Sequence, residues 1–243
     1  MLSIAYHPIY QLPLPEGHRF PMEKYDLLPK QLLHEGTCTQ ADFFEPTAID
    51  YHSIEQVHSA DYLQRLLKLA LDKKEIRKIG FPLSQQLIDR EIIIAGGTVE
   101  GAKRALNTGI AMNIAGGTHH AFSNRGEAFC LLNDQAIAAQ YLLDRQLAKK
   151  ILIVDLDVHQ GNGTAEIFKD NPAVFTFSMH GAKNYPFQKE VSDLDLSLVD
   201  GMEDQAYLQL LKSTLPQLLD QVQPDFIFYL CGVDIVATDK LGR

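Results

Sequence analysis

The residues Val154-Asp155-Leu156-Asp157-Val158-His159-Gln160-Gly161-Asn162-Gly163 carry the densest chemistry in the chain. Two carboxylates and an imidazole come directly after the strand-forming run Ile151 to Val154. In an extended chain alternate side chains share a face, so Asp155, Asp157 and His159 are expected on one side. Burying such groups at a strand end is costly without compensation, and a divalent metal is the simplest compensation. The glycines then let the backbone turn away tightly. The competing, purely structural reading is a polar strand end with a capping aspartate.

Two further strands end in similar chemistry. Ile110 to Ala115 runs into Gly116-Gly117-Thr118-His119-His120, and Asp225 to Leu230 runs into Cys231-Gly232-Val233-Asp234. In parallel α/β sheets, ligands bind beyond the carboxyl ends of the strands. Three strands are thus expected to deliver His or Asp to one rim. Asp157, His159 and Asp234 form a possible three-ligand set with an open position. The mixed nitrogen and oxygen donors suit Zn²⁺ and leave Fe²⁺ and Mn²⁺ open. An open site of this kind can activate water and polarise a carbonyl. His119 and His120 are candidates for general base and acid, with Asp155 and Asn162 as candidates to orient rings. Taken alone, the histidine pair would read as loop residues and Asp234 as a turn or cap residue. Their shared rim favours function.

The elements that position these residues alternate along the chain. The first 50 residues, rich in proline but interspersed with Tyr10, Phe20, Met22, Tyr25 and Leu27, predict an ordered, loop-rich segment. Leu63, Leu66, Leu67, Ala70 and Leu71 fall at helical spacing. A second helix is predicted over Arg90 to Leu106, despite Gly96-Gly97, with Asn107-Thr108-Gly109 as its stop. Asn133 or Asp134 can cap a helix reaching about Leu147. Beyond it come a strand over Ile151 to Leu156, a helix from Thr164 to Phe168 and a strand over Ala173 to Met179. A helix over Glu203 to Val222, kinked at Pro216, precedes the strand at Asp225 to Leu230. The pattern predicts an α/β fold, a single domain over residues 1–243 with a mostly parallel sheet and helices on both faces.

Composition narrows the function classes. With 46% hydrophobic and 22% charged residues, the chain reads as an ordinary globular protein. No apolar run is long enough for a membrane span, and the N-terminus lacks the pattern of a signal peptide. Cys38, Cys130 and Cys231 are odd in number and far apart, so a reducing, cytoplasmic setting is expected. A net charge of −9 disfavours nucleic-acid binding.

Three blocks, Gly116-Gly117-Thr118-His119-His120-Ala121-Phe122, Ala128-Phe129-Cys130-Leu131-Leu132-Asn133-Asp134 and Asp155 to Gly163, resemble the histone deacetylase family of the arginase–deacetylase fold. The wording is closest to class IV and bacterial members, and Tyr6-His7-Pro8, Gly17 to Met22 and Lys24-Tyr25 fit too. The resemblance implies Asp157, His159 and Asp234 as Zn²⁺ ligands and His119 and His120 as the pair that activates water and protonates the leaving amine. It implies that Asp155 orients His119 and helps Ser178 to hold a structural K⁺, and that Phe129 lines an acyl-lysine tunnel. Arg19 would face an internal cavity near the metal. Asn162 stands where many members have Asp behind the second histidine, which implies a less basic ring. The implied reaction is removal of acetyl or longer acyl groups from lysine in a protein or peptide, or from another acylated amine.

One departure stands out. Most members have a tyrosine beyond the aspartate corresponding to Asp234, which stabilises the oxyanion; none comes after Asp234 here, and a chain truncated at its C-terminus is the expectation. Two other readings compete. The related ureohydrolases hold two Mn²⁺ ions and need a carboxylate two residues after the histidine, where this chain has Gly161. A catalytically weak, metal-containing module that binds acyl-lysine is the alternative from a different class.

Overall fold

A computed structural model describes residues 2–242; Met1 and Arg243, the ends of the expected domain, lie outside the described residues. The strands are β1 (Ser3–Ala5), β2 (Phe43–Phe44), β3 (Ala111–Asn113), β4 (Ile151–Asp155), β5 (Val174–Gly181), β6 (Leu194–Leu198) and β7 (Phe226–Leu230). The helices are α1 (Lys24–His34), α2 (Tyr51–Glu55), α3 (Ala60–Leu67), α4 (Lys73–Ile79), α5 (Gln85–Thr108), α6 (Asp134–Asp144), α7 (Asn162–Phe168) and α8 (Asp204–Val222). The fold is α/β, with parallel strand pairing and flanking helices. The chain forms two compact units, residues 1–141 and 142–243.

The first unit holds a three-stranded sheet in the order β2-β1-β3. Its main support is α5, which packs on β1 and β3. Ser84 caps α5 by accepting from Leu87 N–H, and Gly109 ends it in the left-handed region at φ 86°. The Gly96-Gly97 pair survives inside this helix because other chain segments press on it. A Cβ at Gly96 would meet Thr47 O at 1.9 Å, and one at Gly97 would meet the Tyr10 hydroxyl at 2.5 Å. The expectation of a loop-rich first segment holds only in part: β1, α1 and β2 all form there, with Pro29 inside α1.

The second unit holds a four-stranded sheet in the order β6-β5-β4-β7. Every residue of β4 is buried, as its unbroken apolar run requires for a strand flanked on both sides. Leu152, Val154, Phe177 and Met179 meet Leu218 and Val222 of α8 in one core, and α7 packs on β5. Helix α8 continues through Pro216, where a kink is predicted from sequence. Strand β3, one of the three expected to share a rim, belongs to the first unit's sheet, whereas β4 and β7 are neighbours in the second. Among the described residues, no helix is long and apolar enough to cross a membrane.

Candidate metal centre and histidine loop

In the second unit, β4 ends at Asp155, which pairs in register with Ser178 of β5 and Leu230 of β7. The alternation expected of an extended chain does not continue past this point. The strand stops there, and Leu156 to Gly161 make turns before α7. Asp155 Oδ1 accepts from Asp157 N–H at 3.1 Å, and Asp157 Oδ1 accepts from His159 N–H at 2.8 Å. Short aspartate side chains that bond backbone two residues on favour such turns. The turns, not the strand pleat, bring the donors together, and Asp155 stays buried below them.

Asp234, from the loop after β7, completes the cluster. Its Oδ1 accepts from Val158 N–H at 3.1 Å, and its Oδ2 lies 3.0 Å from His159 Nδ1. His159 Nδ1 is also 3.0 Å from Asp157 Oδ1. Donor atoms from Asp157, His159 and Asp234 all lie within 4.8 Å of one another. Their side chains keep 15% exposure, enough for a ligand to reach them. Burial opposes a charge on the His159 ring, but hydrogen bonds to Asp157 and Asp234 outweigh it and lift its pKa to about 9. Two carboxylates so arranged attract positive charge between them, so the residues fit a divalent cation with mixed nitrogen and oxygen donors.

Gly232 lets the β7 loop approach. A Cβ there would meet Asp157 Oδ2 at 2.1 Å and Asp157 Cα at 2.8 Å. Ser178 is buried on β5 with its Oγ 2.9 Å from His180 Nδ1. Asn162 is buried at the first turn of α7.

In the first unit, His119 and His120 are both buried, with ring centroids 4.1 Å apart and ring planes inclined at 44°. Their loop is tied at its base. Thr118 N–H donates to Asp134 Oδ1 at 2.9 Å, and Asp134 N–H donates to Thr118 Oγ1 at 3.1 Å. Asn133 donates from Nδ2 to Ala121 O at 3.2 Å and caps α6 by accepting from Ala136 N–H. His58, which no sequence pattern singles out, sits fully buried beneath this loop. Its Nε2 accepts from Asn133 N–H at 2.9 Å, so its Nδ1 carries the proton and donates to Phe122 O, also at 2.9 Å. Burial drives its pKa down to about 4. His58 is recognisable only once Phe122 and Asn133 are seen to flank it.

Phe129 is half-buried and adopts φ 68°, a conformation that a bulky side chain holds only under constraint. Its N–H donates to Ile79 O, and its ring lies 5.0 Å from Phe20 and 5.1 Å from Phe81. Arg19 departs from expectation: it is exposed, with its guanidinium 4.8 Å above the Phe129 ring, and does not face an interior cavity. A cation over an aromatic face is a sufficient reason for that placement.

The histone deacetylase domain family matches residues 18–243 of the chain. An uncharacterized protein of Picosynechococcus sp. is 49% identical over 240 residues, covering 99% of this chain and 80% of that protein. Histone deacetylase 2 of Arabidopsis thaliana is 28% identical over 254 residues, and the chain spans 65% of its length. Among solved structures, a histone deacetylase homologue complexed with SAHA superposes with a TM-score of 0.87 at 24% identity, covering 99% of this chain and 71% of that one.

Proposed function

This chain belongs to the histone deacetylase family, and we propose that it is a Zn²⁺-dependent amidohydrolase that removes acetyl or longer acyl groups from lysine side chains or related amines. The observation that carries the reading is the convergence of Asp157, His159 and Asp234 on one partly exposed point. When bound there, Zn²⁺ would lower the pKa of a water molecule and polarise the amide carbonyl.

Each of the chain's own residues has a part in this reading. His119 and His120 move the protons: one accepts from water, the other donates to the departing lysine amine. By the family resemblance, Asp155 would orient His119, and Asn162 takes the position of the residue that backs His120. A neutral amide supports a positive ring less than a carboxylate would, so His120 is a better acid than its counterpart backed by Asp. Phe129 lines the path of the acyl-lysine chain, and its constrained backbone fixes the ring's direction. Asp155 and Ser178, opposite one another in the β4–β5 ladder, help to hold a structural K⁺.

The test is turnover of acetyl-lysine and long-chain acyl-lysine peptides by the Zn²⁺-loaded chain, with metal content measured in parallel. Turnover that Asp157→Ala abolishes together with bound metal would support the reading. Bound metal and peptide affinity without turnover would overturn it in favour of an acyl-lysine binding module.

A further inference from the structure

Gln160, next in the chain to His159, is completely buried, and its carboxamide makes three hydrogen bonds to a distant segment. Its Nε2 donates to Glu190 O and to Asp195 Oδ1, each at 2.8 Å. Its Oε1 accepts from Glu190 N–H at 2.9 Å. One side chain thus satisfies both backbone groups of Glu190, as a neighbouring strand would. Asp195 lies on β6, and its Oδ2 accepts from Ser192 N–H at 2.8 Å.

The segment so held, residues 184–192, is also braced from within. Lys189 Nζ donates to the carbonyls of Asn184 at 2.7 Å and Pro186 at 2.6 Å. Two apolar side chains stand out from the segment beside the exposed Gln188: Phe187 is 87% exposed and Val191 80%. A large apolar side chain displayed on a hydrogen-bonded backbone frame differs from a loop that merely frays, because the frame limits where the backbone beneath the ring can go.

We propose that Gln160 is a positioning residue that couples the metal loop to the 184–192 segment. Metal binding at Asp157, His159 and Asp234 fixes the main chain of His159 and, one peptide on, that of Gln160. The segment is thereby stiffened, and by reciprocity the segment strengthens metal binding. Phe187 and Val191 are then held ready for the apolar part of a substrate whose reacting end is at the metal. The coupling rests on the reading of the three donors as a metal centre.

Hydrogen exchange of peptides covering 184–192 tests it, in the full chain with and without Zn²⁺, with bound zinc quantified separately. Gln160→Ala removes the lock; Gln160→Glu keeps its size and the acceptor for Glu190 N–H but loses both donated bonds and faces Asp195 with like charge. The expected result is that Zn²⁺ slows exchange of the segment about fivefold or more in the parent chain and less than about twofold in zinc-loaded Gln160→Glu. In the metal-free state both variants exchange faster than the parent. The KM for a long-chain acyl-lysine peptide rises about tenfold more in Gln160→Glu than the KM for acetyl-lysine, since only the former reaches the apolar segment. Equal zinc-dependent slowing in parent and variant, or equal KM changes for the two substrates, would overturn the proposal. A parent chain that takes up no zinc would instead refute the metal centre, and unchanged metal-free exchange in the variants would then refute the lock. If Gln160→Ala does not fold, Gln160→Glu carries both readouts.

Discussion

Gly232 lies so close to Asp157 that a methyl group on it would sit 2.1 Å from the carboxylate. The residue after β7 that looks least functional therefore bears on the position of a candidate metal donor. Gly232→Ala must displace Asp157 or its own loop, at a cost of about 1–3 kcal/mol in stability. Zn²⁺ affinity is expected to fall about 10- to 100-fold, as for the loss of other groups that orient ligands. Competition with a chromogenic chelator measures this, and unchanged affinity would show that the loop yields freely.

His58 makes the fold acid-sensitive. Its neutral ring accepts from Asn133 N–H, and a second ring proton would have no place to go. With a folded pKa of about 4, below the unfolded 6.5, the unfolded chain binds more protons between those values. Stability is therefore unaffected by this group above pH 6.5 and is lost as pH falls toward 4. The loss is about 1.4 kcal/mol per pH unit. His58→Gln can make both hydrogen bonds without titrating, so its stability should drop about 2 kcal/mol less than the parent's between pH 6.5 and 5. Urea unfolding at the two pH values measures the difference; parallel losses would mean that His58 is not held neutral.

Phe129→Leu removes the aromatic face beneath Arg19 and beside Phe20 and Phe81. No metal donor is touched, so bound zinc is expected to stay at the parent level. The KM for acyl-lysine peptides should rise, by roughly tenfold for about 1.4 kcal/mol of lost contact. Steady-state kinetics with parallel metal analysis checks both halves, and a loss of zinc would move Phe129 into a purely structural role.

Asn162→Asp places a carboxylate where the proposed function puts an amide behind His120. A nearby opposite charge favours the imidazolium, so the limb of the pH–rate profile governed by this group should shift upward by about one unit or more. A profile that keeps its shape while its height changes would separate Asn162 from His120.

The candidate cluster was legible in the sequence because Asp157 and His159 sit directly after an unmistakable buried strand. The reason given by strand alternation was not the operative one, since the chain leaves β4 at Asp155 and gathers its donors through turns. Periodicity could locate α5 and its stop at Gly109, and only the close approach of Thr47 and Tyr10 explains why two glycines belong inside it. Strand β6 alternates apolar and polar residues over Leu194–Leu198, a strand signal confined to five residues, and β1 and β2 are too short for any period to register. His58 lies in no motif, and Gln160 lies inside the Asp155–Gly163 block with no role read for it. Their importance lies in partners tens of residues away, which single-chain patterns do not encode.

The arrangement of β4 and β7 also has a consequence for the order in which the molecule matures. Val158 and Asp234 are bonded across 76 positions of chain, and that bond exists only once β7 has docked beside β4. Distant pairings of this kind form late, because the intervening chain must first be closed into a loop. A half-made molecule holds Asp157 and His159 alone and would grip a metal ion poorly. If the cluster holds zinc as proposed, tight uptake would be a signature of the finished sheet, and in a refolding experiment the appearance of bound zinc would mark the last step and not the first.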